Sequence, residues 1–135
     1  MKKLVFGLLV LFVLAACSGG APASIHGQWA LVSYGPADSQ VSAAPDVDTS
    51  IEFTSEGTLN GNVGCNGFGG DFTVDGDQIT FGPIVSTMMF CEGPVGEQEA
   101  ATLVVFQESA SFVLDGDTLT ITSADGSSVI VLARK

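Results

Sequence analysis

Phe72-Thr73-Val74-Asp75-Gly76-Asp77-Gln78-Ile79-Thr80-Phe81 and, at an offset of 40 residues, Phe112-Val113-Leu114-Asp115-Gly116-Asp117-Thr118-Leu119-Thr120-Ile121 are near copies of one another. Each places Asp-Gly between two runs that alternate apolar and polar residues. That is a strong short-range signal for a β-hairpin, since both turn residues tolerate positive φ. With Asp75-Gly76 as a two-residue turn, Phe72 faces Ile79 and Gly70 faces Phe81. The second copy then sets Phe112 against Leu119 and Ala110 against Ile121. In both cases the large apolar side chains share one side of the ribbon. A three-residue loop with a glycine bulge would shift this pairing by one, so the turn type stays open.

Working outward, Ser55-Glu56-Gly57 reads as a three-residue loop joining Ile51 and Phe53 to Leu59. Ala124-Asp125-Gly126 likewise joins Leu119 and Ile121 to Val129 and Val131. With an opening strand over residues 28–34 the count is about seven strands of an antiparallel meander. The final run, Val129-Ile130-Val131-Leu132, is apolar on both faces and should be covered on both. One helix is expected over residues 97–108, with acids in its first turn and Ala100, Leu103, Val104 and Phe106 as its apolar side. Residues 35–46 lack periodicity and read as a long surface loop.

The chain opens Met1-Lys2-Lys3, continues with an apolar stretch from Leu4 to Leu14 and reaches Leu14-Ala15-Ala16-Cys17. Basic, apolar and small-residue regions thus follow in the order of a secretory signal, and the run is shorter than the ~20 residues a bilayer span needs. The tetrapeptide resembles the bacterial lipobox. That resemblance implies cleavage after residue 16 and acylation of Cys17, several acyl chains then giving a stable membrane anchor. Residues 17–25 would be the lipidated cysteine and a flexible tether, and residues 26–135 the folded domain. Processing leaves Arg134 and Lys135 as the two basic residues against fifteen acidic ones, a formal charge of −13. Such a surface repels nucleic acid, which is therefore excluded as a partner.

With Cys17 assigned to lipid, Cys65 and Cys91 form an even pair in an oxidising compartment and are expected to be bonded to each other. They lie 26 positions apart, a loop worth about 3.5 kcal/mol in the chain-entropy account. Redox or metal chemistry by these thiols is the sharper alternative. There is no Cys-x-x-Cys spacing and only one histidine, His26, to support it. Asp75/Asp77 and Asp115/Asp117 lack the EF-hand spacing, and the turn explains both pairs. No Gly-x-Ser-x-Gly elbow occurs, and the serines have no histidine partner in a recognisable pattern, so no catalytic residue and no cofactor are assigned. The glycine-rich residues 64–70 precede a strand rather than a helix, and read as a tight crossover pinned by the disulfide rather than an anion cradle.

Gly27-Gln28-Trp29-Ala30-Leu31, Gly64-Cys65-Asn66-Gly67-Phe68-Gly69-Gly70 and Ser86-Thr87-Met88-Met89-Phe90-Cys91, followed by the helix and the last hairpins, resemble the META/HslJ-like domain in order and spacing. Two positions depart from its pattern: Phe90 stands where alanine is usual, and an aromatic expected after Gly69-Gly70 is displaced by Asp71 to Phe72. The resemblance implies an antiparallel β half-barrel with a helix against it, in a non-enzymatic envelope lipoprotein linked to stress tolerance. It also implies similarity to lipid-binding pilot lipoproteins of secretion systems. The expected role is interaction with another envelope protein on the extracytoplasmic side of the membrane. The alternative is a carrier of a small apolar ligand or lipid, held in a cavity lined by Phe53, Phe72, Phe81, Leu103, Phe106 and Phe112. A hydrolase would need a cleft joining His26 to carboxylates. Trp29 is expected to plug the core with its N–H at the rim.

Overall fold

The computed structural model describes residues 24–135, so the expected signal (residues 1–16), the lipidation site Cys17 and most of the tether lie outside the described residues. Ten strands and one helix follow in the order β1 (Gly27–Gly35), β2 (Val41–Ser42), β3 (Ser50–Phe53), β4 (Thr58–Asn62), β5 (Gly67–Asp75), β6 (Gln78–Phe81), β7 (Val85–Ser86), α1 (Gly93–Val105), β8 (Ser109–Asp115), β9 (Thr118–Ser123) and β10 (Val129–Arg134). No described helix is long and apolar enough to cross a membrane.

Eight of the strands close into an antiparallel barrel, β1-β3-β4-β5-β6-β8-β9-β10, because β10 returns to pair with β1 from Trp29↔Arg134 to Gly35↔Val129. The half-barrel of about seven strands expected from the sequence is thereby corrected to a closed barrel of eight. Hairpin signals report only neighbouring strands, whereas closure joins the first strand to the last. The short strands β2 and β7 sit outside the ring, on β1 and β5. The seam carries a bulge: Val32 is the extra residue between Leu31↔Leu132 and Ser33↔Val131. It switches the inward side, so that Trp29, Leu31 and then Tyr34 are buried while Val32 is exposed.

The Asp-Gly hairpins form with a different pairing. Asp75 faces Gln78 and Asp115 faces Thr118, so the loops are Gly76-Asp77 and Gly116-Asp117. Gly76 (φ 61°) and Gly116 (φ 57°) take the first central position in the left-handed region, the position a glycine-first hairpin turn assigns to glycine. Phe72 consequently faces Phe81 and Phe112 faces Ile121. The apolar face expected from the alternation is kept, because the shift preserves the two-residue parity. The Ser55-Glu56-Gly57 loop forms as expected between Thr54 and Thr58, whose amide and carbonyl are bonded at 2.9 Å. The last hairpin needs four loop residues, since Ser123 N–H donates to Ser128 O.

An eight-stranded barrel is just wide enough inside to be filled by side chains or to hold one small ligand. Here the filling comes from Trp29, Ile51, Phe53, Leu59, Ile79, Leu119, Ile121, Ile130 and Leu132, all fully buried. The Trp29 indole N–H is also internal, donating to Ile25 O at 2.8 Å, and Arg134 lies over the ring at 4.2 Å. Phe106, just past the helix, drives its ring among Phe53, Phe68 and Phe81 at 5.3–6.5 Å. α1 thus closes the barrel mouth that holds the β4–β5 loop.

Candidate functional site

Proline in its first turn and a β-region Glu92 start α1 four residues earlier than the acidic run at 97–99 suggested. Its inward face is Gln98, Glu99, Thr102 and Val105, continued by Phe106. The apolar side expected from the sequence is corrected: Ala100 and Val104 are exposed and Leu103 is half-buried. Polar residues point inward because their partners are main-chain groups left without a ladder in the neighbouring loops. Gln98 donates from Nε2 to Val63 O at 2.6 Å and accepts from Ala44 N–H at 2.7 Å. Glu99 Oε2 accepts from the amides of Cys65 (2.9 Å) and Asn66 (2.7 Å), and Oε1 accepts from Asn66 Nδ2 at 2.6 Å.

The glycine-rich crossover is in fact a hairpin loop, Val63-Gly64-Cys65-Asn66, since Asn62 pairs with Gly67 across adjacent strands and residues 67–70 belong to β5. Gly64 is required by close approach: a Cβ there would lie 2.5 Å from Glu99 Oε2. Asn66, buried, faces two ways. Besides Glu99 it holds the following apolar loop, Nδ2 donating to Met89 O (2.9 Å), while Oδ1 accepts from Met89 N–H (2.7 Å) and Thr87 Oγ1 (2.8 Å). Cys91, at the end of that loop, is bonded to Cys65, Cα to Cα 6.1 Å. The loop so fixed exposes large apolar side chains: Met88 is 95% exposed, Phe90 87%, Val85 70% and Met89 60%. Asn66 and Glu99 were missed as partners. Their one signal was Glu99 and Gln98 sharing a helical stripe with Thr102, Val105 and Phe106.

Cys65, Cys91 and Glu99 lie close enough together to share a cation, but the thiolates a soft metal requires are joined as a disulfide. Part of the cavity expected for an apolar cargo is filled: Phe53, Phe72, Phe81 and Phe106 interlock, Phe53 and Phe72 edge to face at 5.1 Å. Phe112 packs half-buried against the core. What remains is an open cleft of about 490 Å³ at the barrel's flank, with Phe81, Ile84, Leu103 and Phe106 on its walls and Ser86, Gln107 and Glu108 at its rim. A second cleft, about 420 Å³, gathers His26, Glu52, Ser55 and Glu56. Among the described residues no hydrogen bond links the imidazole to any of these side chains; His26 bonds through its main chain, N–H to Ser24 Oγ and C=O accepting from Arg134 Nη1. Asp75 and Asp115 lie in the hairpins, exposed, with no shared cation geometry.

The model of the META domain family matches residues 23–135. The chain belongs to the META domain family. Three solved structures resemble this META domain. One is an NMR structure of a protein from Burkholderia xenovorans (TM-score 0.66, 19% identity, 81% of each chain covered). A second NMR structure gives 0.60 at 20% identity, covering 78% of this chain and 87% of the other. The crystal structure of a DUF4847 family protein from Bacteroides vulgatus ATCC 8482 gives 0.56 at 14% identity, covering 81% and 92%. At these identities the likeness is one of fold. Among curated proteins none matches the chain.

Proposed function

We propose that this META domain is a non-enzymatic protein-interaction module of the bacterial envelope, held at the membrane through acylated Cys17 and acting in envelope stress tolerance. One observation carries the reading: the buried polar side chains at the closed mouth hold up an exposed Met88-Met89-Phe90 loop. Rigid, exposed aromatic and methionine side chains are the usual anchors of protein interfaces, and presenting them in a fixed conformation lowers the ordering cost of binding. The buried carboxylate at this end, Glu99, is committed to amide donors, which supports binding over chemistry. The carrier reading has the flank cleft in its favour, and the packed phenylalanines against it.

A photo-crosslinking residue at position 90, compared in living cells with one at exposed Val113, tests the proposal. A discrete protein adduct is expected at 90 alone, and the identified protein should bind the purified full chain but not its Phe90→Ser variant. Adducts only to phospholipid, or none, would sink the reading. Substrate hydrolysis by the full chain that disappears in His26→Ala would transfer the function to the second cleft.

A further inference from the structure

One strand, β7, lies outside the closed ring beside β5. β6 and β7 form a single line of chain along β5, interrupted by Gly82, Pro83 and Ile84, with Gly82 N–H still bonded to Asp71 O at 2.8 Å. On its outer side β6 is covered by β8 at Gln78, Ile79 and Thr80, and Phe81 N–H donates to Glu108 O at 2.7 Å. Before Glu108 the chain on that side turns through Gln107 and Phe106 into α1, which offers β7 no ladder. β7 is therefore paired with β5 alone among the described residues. Thr87 N–H donates inward to Gly67 O at 3.0 Å, so alternation along an antiparallel strand turns the N–H and C=O of Ser86 outward. Ser86 lines the 490 Å³ flank cleft, whose walls include Ile84 and Leu103. The same strand runs on directly into the exposed Met88-Met89-Phe90 loop. Free edge, apolar cleft and apolar loop are thus one continuous surface.

Its charge selects among occupants. Glu108 lies on the cleft rim, and Glu92 and Glu97 are exposed on α1's first turns. The described cations, Arg134 and Lys135, are engaged by Asp117 and Asp48. A formal charge of −11 on the whole chain opposes a second copy and an anionic bilayer alike. A basic segment is favoured. We infer that the outer edge of β7 accepts, by strand addition, an extended segment of a partner protein in which apolar and basic residues alternate. Its main chain pairs with Ser86, its apolar side chains enter the cleft over Ile84 and Leu103, and its cations face Glu108. The inference rests on the protein-interaction reading above and names the partner's chemistry.

The test uses the purified full chain and an acetylated hexapeptide alternating lysine and valine. Binding is followed by NMR shifts and by hydrogen exchange at the Ser86 amide. Slowed exchange at Ser86, shifts at Ile84 and Leu103, and at least tenfold weaker binding of a glutamate–valine peptide are expected. Ser86→Pro deletes the outward donor on an edge where proline is tolerated, so it should keep the melting temperature and weaken binding at least tenfold. If that variant does not fold, the wild-type Ser86 exchange decides. Equal binding of the two peptides, unchanged Ser86 exchange, preferential binding of the Cys17→Ala chain to phosphatidylcholine vesicles, or a dimer in sedimentation would each overturn strand addition. None of these results touches the adduct at position 90, whose absence alone would remove the broader reading.

Discussion

Glu99 is a buried carboxylate with three N–H donors and no ion pair among the described residues. Hydrogen bonds to an ionised acceptor are stronger than neutral ones, and here they tie helix, hairpin loop and disulfide together. In Glu99→Gln one oxygen becomes an NH₂ facing donors, leaving at least one N–H without an acceptor. Stability should fall by about 1–3 kcal/mol in urea unfolding. An unchanged midpoint would show the carboxylate to be dispensable. Gly64→Ala tests the same place by volume. Its new methyl would meet the Glu99 carboxylate at 2.5 Å, and the helix must shift to admit it. A loss of about 1–3 kcal/mol is expected, together with altered NMR shifts at Cys65 and Asn66. Neither residue's role could be read from the sequence: a glutamate near a helix start satisfies the dipole rule whether it faces water or the core.

At the scale of elements, the hairpins divide into locally encoded and tertiary-held parts. The loop after β9 is built on Asp125, whose carboxylate accepts from Ser123 Oγ (2.7 Å), Ser127 N–H (3.0 Å) and Ser127 Oγ (2.8 Å). The Ser123 hydroxyl first, then the Ser127 amide, lower its pKa from 3.8 to about 2. Because the folded value is the depressed one, the charged carboxylate's contribution is fully present above about pH 4 and is lost as pH falls toward 2. An NMR titration of Asp125 should show a midpoint near the lower value, and Asp125→Ala should flatten the stability curve in that window. By contrast, the β4–β5 loop and the stretch before α1 have few ladder bonds of their own. Replacing both Cys65 and Cys91 by serine should cost about 2–4 kcal/mol. Hydrogen exchange after reduction should quicken in α1 before it quickens in the β5–β6 hairpin, whose turn and register are local. Alkylation that finds two free thiols in the protein purified from its own cells would remove that expectation's premise.

For the molecule as a whole, the proposed anchor residue Cys17 precedes the first barrel strand in the sequence. β1 and β10 close the ring within residues 27–134. Cys17→Ala should therefore abolish partitioning into the detergent phase while the circular dichroism spectrum and melting temperature of the domain stay unchanged. Partitioning equal to wild type would end the lipoprotein reading. Family membership and strand-by-strand alternation were legible in the sequence, because period-two patterning and Asp-Gly turns act over ten residues or fewer. So was the core face of both near-copy hairpins, whose parity survived the shift in turn position. Four features waited for the tertiary structure: closure between Trp29 and Arg134, the bulge at Val32, the polar inward face of α1, and the free edge of β7. Each depends on which main-chain groups are left unpaired once distant strands meet. That is a property of the closed ring rather than of any segment's own pattern.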